Sequence, residues 1–125
     1  MTSEAFAQRL AAVALEKKAN DISLLDMQGL VSYTDVLVIC SASNPRQVRA
    51  ICESVRQMVK REYGKLPLGM EGLSQGQWCL LDYGDVVIHV FHEPMRSFYD
   101  LESLWMDAPR LSLDTGTSPP LRPVP

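Results

Sequence analysis

A chain of 125 residues with 12 basic and 15 acidic side chains has a net charge of −3 and enough length for one domain around one core. At 46% hydrophobic and 22% charged it is neither fibrous nor disordered, and no apolar run approaches the roughly 20 residues that span a bilayer. Among the first 16 residues Arg9 is the one base, opposed by Glu4 and Glu16, so neither a secretory signal nor a mitochondrial transit peptide is expected. The cysteines, Cys40, Cys52 and Cys79, are odd in number and lack C-x-x-C spacing. They read as reduced core thiols of a cytoplasmic protein.

Residues 4–18 predict a helix, with Phe6, Leu10, Val13, Ala14 and Lys17 at helical spacing and Ser3 as its cap. Ile22–Asp26 is a short apolar strand, and residues 27–34 form a loop around Gly29. Val36-Leu37-Val38-Ile39-Cys40 is continuously apolar and β-branched, the pattern of a central strand covered on both faces. Asn44-Pro45 opens a long helix, since Asn caps well and Pro suits the first helical position. Val48, Ile51, Val55, Met58 and Val59 form its apolar stripe. Arg49, Glu53, Arg56 and Lys60 lie opposite, with Glu53 placed to pair with neighbours three and four residues away, and Gly64 ends it.

Residues 66–71 read as extended, weakened by Pro67. Trp78–Asp82 and Val86–His92 form a hairpin around Tyr83-Gly84-Asp85, where Gly84 supplies the positive φ. Pro94 opens a last helix in which Phe98, Leu101, Leu104 and Trp105 face the core. From Ala108 onward the chain holds five prolines with Ser, Thr and Gly, so a folded domain over 1–108 and a disordered Pro-rich tail over 109–125 are expected. The resulting architecture is α/β: a mixed five-stranded sheet, including a right-handed parallel crossover, flanked by helices.

Several chemistries can be weighed on residue types alone. Asp82 and Asp85 stand three apart across a turn, whereas metal-dependent nucleotidyl transfer wants carboxylates on one sheet face, two apart. A turn or partner contact fits them better. His89 and His92, three apart on a strand, point to opposite faces and cannot chelate one metal. Ser41-Ala42-Ser43 precedes a helix N-terminus that could hold phosphate, but no Gly-rich loop or G-K-[ST] accompanies it. The long helix carries Arg46, Arg49, Arg56, Lys60, Arg61 and Lys65 against Glu53 and Glu62. This can be a solvated face or a secondary contact to RNA within a ribonucleoprotein, without aromatics for base stacking. From Glu71 to Asp107 seven acids face one base, Arg96, and Trp78, Tyr83, Tyr99 and Trp105 are interspersed among them. Rings flanked by charge are the composition of interface hot spots, and acids favour a basic protein partner over a nucleic acid backbone.

These residues resemble the ribosomal silencing factor family, the Iojap-related proteins, from about Ala14 to Pro109. The resemblance rests on Lys18-Ala19-Asn20-Asp21-Ile22, Thr34-Asp35, Arg46-Gln47-Val48 and Glu71-Gly72. It is strongest from Trp78 onward, through Asp82-Tyr83-Gly84-Asp85-Val86, His89-Val90, Arg96, Phe98-Tyr99, Leu101-Glu102 and Leu104-Trp105. The family usually has Gly in place of Ala42, and Ser-Asn or Ser-Ser in place of Asn44-Pro45. That departure leaves a sound helix start and weakens the phosphate-loop reading further.

The resemblance implies a nucleotidyltransferase-like fold without enzymatic activity, cofactor or metal. It implies binding to the large ribosomal subunit through large-subunit protein fourteen, so that small-subunit joining is blocked when nutrients are scarce. It also implies a homodimer in isolation. The expected contact surface is the last hairpin and the C-terminal helix: Asp82, Asp85 and Glu102 facing basic side chains, Trp78, Tyr83 and Tyr99 supplying desolvated area, and His89 and Arg96 ordering the acids or bonding the partner.

Overall fold

The computed structural model describes residues 2–113. Its elements in chain order are α1 (Ser3–Glu16), β1 (Asn20–Asp26), β2 (Val36–Ala42), α2 (Pro45–Tyr63), β3 (Gly69–Glu71), β4 (Trp78–Asp82), β5 (Val86–His92), α3 (Glu93–Tyr99), α4 (Leu101–Leu104) and β6 (Arg110–Leu111). The sheet runs β3-β4-β5-β2-β1-β6. β2 and β5 pair in parallel at its centre and every other pairing is antiparallel.

The sheet is mixed and flanked by helices as expected, but it has six strands, not five. The sixth, Arg110–Leu111, pairs with β1 in a stretch read from sequence as tail. Two residues beside a proline-rich segment carry no alternating pattern, so only the pairing reveals them. The rest of the expected tail, from residue 114, lies outside the described residues.

β2 is buried at all seven positions, as its unbroken apolar run requires. α1 is capped by the Thr2 side chain, which accepts from the Ala5 N–H, one residue earlier than the expected Ser3. Ser3 instead donates to Asp35 at 2.6 Å. Asn44 caps α2 through the Gln47 N–H at 2.9 Å. The Gln47 side chain reaches back to accept from the Ser43 N–H and donates to the carbonyls of Lys17 and Lys18. The Ser43 N–H, which a phosphate would need, is therefore already bonded within the chain. Gly64 ends α2 at φ 65°, and Arg56 pairs with Glu53 at 2.8 Å.

α1 and α2 pack on one face of the sheet and bury Leu10, Val38, Ile51, Val55, Ile88 and Val90 completely. α3 and α4 lie on the other, over Leu25, Leu37, Ile39, Val87 and Phe91. Here the expected single helix is interrupted: Asp100 takes a left-handed conformation (φ 46°, ψ 53°) and divides it into α3 and α4. The break resets the helical phase. Leu101 and Trp105 pack against the sheet as expected, but Phe98 and Leu104 turn outward and are 75% and 69% exposed. Cys40, Cys52 and Cys79 are buried free thiols.

Candidate functional site

Strand alternation places Trp78, Leu80 and Asp82 of β4 opposite Phe91, His89 and Val87 of β5, on the face that α3 and α4 cover. The Trp78 indole stacks on Phe91 with centroids 4.9 Å apart and meets Tyr99 at 4.4 Å. Its Nε1–H donates to His89 Nδ1 at 3.0 Å. An imidazole nitrogen that accepts carries no proton, so the His89 proton sits on Nε2. Burial pushes the His89 pKa down to about 4 against the opposing pull of Asp82, and the ring is neutral at pH 7. Beside it opens an apolar cavity of about 320 Å³, walled by Leu37, Leu80, Val87 and Trp105, with His89 and Asp82 as its polar points.

Three of the expected contact residues, Trp78, His89 and Tyr99, thus form one cluster, and Asp82 shares their face. Asp82 also serves the turn by accepting from the Gly84 N–H at 2.8 Å. Tyr83, the next residue, points to the opposite face. There it is 7% exposed and packs edge-on against Phe6, itself edge-on to Tyr63. Burial raises its pKa to about 12. Tyr83 belongs to the core under α1 and does not join the Trp78 group, a consequence of strand alternation carried one residue into the turn. Asp85 is exposed at the turn, and its carbonyl accepts from the N–H groups of Asp35 and Val36 and from the Thr34 hydroxyl.

Arg96 and Glu102 form a second centre beside the cluster. The Arg96 fork grips Glu102 with Nε to Oε1 at 3.1 Å and Nη2 to Oε2 at 2.9 Å. Nη1 donates to Ser41 Oγ at 2.9 Å and to the Asp21 carbonyl, and Nη2 to Ser23 Oγ at 3.3 Å. Glu102 also accepts from Ser23 and lies 3.5 Å from Arg110. The hydrogen bonds from Arg96 hold the Glu102 carboxyl below its usual range. Glu102 is therefore engaged within the chain, with Arg96 ordering this acid.

Residue spacing gives no sign of Ser23 and Ser41 as guanidinium partners, nor of the exposed Tyr33 and Leu104 beside the cavity and Phe98 against Tyr99. Their apolar character is visible in sequence, but their outward placement is not. His89 and His92 do face opposite sides of β5, and among the described residues no three His, Cys, Asp or Glu group as metal ligands. No described helix is long and apolar enough to cross a membrane.

Residues 1–123 match the family model described as "Ribosomal silencing factor during starvation". The chain is 40% identical over 116 residues to a Bacillus subtilis protein named ribosomal silencing factor RsfS, covering 93% of this chain and 98% of that one. It is also 40% identical over 111 residues to the chloroplastic protein Iojap of Arabidopsis thaliana, covering 89% of this chain and 46% of that longer protein. Among solved structures, a Chromobacterium violaceum protein superposes with TM-score 0.81 at 31% identity, covering 98% of this chain and all of the other. A Bacillus halodurans crystal structure superposes with TM-score 0.76 at 35% identity, covering 88% and 99%.

Proposed function

The chain belongs to the ribosomal silencing factor family, and on that premise we propose that it binds the large ribosomal subunit through large-subunit protein fourteen and keeps the small subunit from joining. The observation that carries this reading is the face built from Trp78, Tyr99, His89 and Asp82. It is ringed, partly apolar and acid-bearing, and its helical cover leaves Phe98, Leu104 and Met106 exposed. Exposed apolar side chains beside such a ring cluster favour a contact site. Asp82 and the exposed acids Glu71, Asp85, Glu93, Asp100 and Asp107 suit a basic protein.

No bond is made or broken in this mechanism. The domain occupies space that the small subunit needs, so repression under nutrient limitation depends on occupancy alone. The protein acts in the cytoplasm, without cofactor or metal, and dimerises in isolation. The exposed Arg46, Lys60 and Arg61 of α2 supply a secondary contact to ribosomal RNA, electrostatic and therefore salt-dependent. The test is a subunit-joining assay with purified subunits. Added protein lowers the yield of joined particles in proportion to its occupancy of the large subunit. Free joining in the presence of saturating protein overturns the proposal.

A further inference from the structure

α3 and α4 have seven and four residues, too few to hold helical form by themselves, and neither contains a fully buried residue. Their apolar attachment is thin: Met95, Leu101 and, just beyond α4, Trp105 are partly buried against the sheet, and the half-exposed Tyr99 ring lies on Trp78. Arg96 supplies what this thin packing does not. Its five N–H groups all have acceptors within the chain, drawn from β1, β2 and α4. Its side chain is only 14% exposed and that of Glu102 only 21%. A guanidinium so fully occupied has no N–H left for a partner's anion. A bidentate ion pair fixes geometry, because the planar guanidinium fork holds both carboxylate oxygens in one orientation.

The geometry points to Arg96 and Glu102 as positioning residues for the binding face: the pair seats the 93–107 segment on the sheet and thereby holds Tyr99 against Trp78. This inference rests on the proposed binding function. Tyr99 lies three residues after Arg96 and directly before the left-handed Asp100, with its ring 4.4 Å from that of Trp78. The backbone on either side of Asp100 is tied together by the Arg96–Glu102 bridge, so the direction of Tyr99 is set by the bridge on one side and by the indole on the other. Arg110 of β6 completes the tie at Ser23 and Glu102.

The experiment uses the full chain with Arg96→Lys and Glu102→Gln. The first keeps the charge without the fork; the second keeps the shape without the charge. Amide hydrogen exchange and co-sedimentation with purified large subunits are the two readouts. In either variant, exchange over residues 93–107 rises about tenfold or more while β2 and β5 amides keep their protection. Binding weakens about tenfold. In a Tyr99→Ala background, Arg96→Lys costs no further binding, because the route through Tyr99 is already gone. Unchanged exchange in both variants overturns the clamp. An undiminished binding loss in the Tyr99→Ala background overturns its action through Tyr99. Failure of the unmodified protein to sediment with large subunits overturns the proposed function, whereas the exchange readout still decides whether the pair seats the segment.

Discussion

The two faces of the sheet are built on different plans. One carries helices of 14 and 19 residues whose stripes bury Leu10, Ile51, Val55 and Val59 completely. The other carries two short helices with no fully buried residue, held by an ion pair and a ring cluster. The first face supplies most of the apolar burial that folds the domain; the second keeps rings, an acid and a cavity within reach of another molecule. The sharpest way to break this division is on the first face. Ile51→Ala leaves a cavity in close-packed surroundings and should cost about 2–5 kcal/mol in urea-induced unfolding. A cost well under 1 kcal/mol would mean that this side is no tighter than the other.

Truncation on the second face should appear in binding first. Trp78 spans Phe91, His89 and Tyr99, so Trp78→Ala empties the centre of the proposed surface. We expect a loss of about 2 kcal/mol or more in affinity for large subunits, roughly thirtyfold. Asp85, exposed at the turn, should cost under about 1 kcal/mol when changed to Asn, as rim charges do. Wild-type binding by a folded Trp78→Ala protein would remove the ring cluster from the interface.

Much of this division was legible in the residues. The unbroken apolar run of β2, the Asn44-Pro45 start and Gly64 stop of α2, and the Gly84 turn each specify local structure through steric or capping rules that need no tertiary information. The 3.6-residue stripe of α2 placed its buried face correctly for the same reason. The second face was harder to read. The helix expected from Pro94 to Trp105 is split by Asp100, a residue that tolerates the left-handed region without announcing it as glycine would. The break leaves Leu101 and Trp105 against the sheet while Phe98 and Leu104 turn outward, a division that spacing along one continuous helix does not specify. Composition places Tyr83 beside Trp78, but one step along an alternating chain carries it to the opposite side, against Phe6. Glu102 is held by Arg96, only 6 residues away, but its further partner Ser23 lies 79 residues away and only the fold brings it there.

The second face should also respond to acid at milder pH than the first, through His89. Its folded pKa, about 4, lies below the ordinary value of 6.5, so between these values the unfolded chain binds the extra proton. The stability from keeping this ring neutral is complete above about pH 6.5 and is lost as pH falls toward 4. Between pH 7 and pH 5 the loss amounts to about 2 kcal/mol in unfolding free energy. In His89→Gln, which retains an acceptor for the Trp78 N–H, that part of the pH dependence should disappear. An unchanged slope between pH 7 and 5 would mean that His89 is not kept neutral by burial. Glu102, held low by Arg96, adds its own loss only at lower pH, where unfolded carboxylates begin to protonate.

The smallest expected effect discriminates most finely. Leu104 looks in sequence like a core position of an amphipathic helix, and as such its replacement by Ser would cost several kcal/mol, on the order of other buried leucines. In the structure it is 69% exposed, at the end of α4 and beside the cavity that His89 and Asp82 overlook. Leu104→Ser should therefore change unfolding free energy by less than about 0.5 kcal/mol, as surface substitutions do. Its effect on binding should exceed its effect on stability, because the apolar area it offers is free in the isolated protein and removed from water only by a partner. A stability cost above about 1 kcal/mol would place Leu104 in the core after all. The unbroken helix would then be the better description, and the contrast between a folding face and a contact face would lose its footing at the position where the two descriptions differ most.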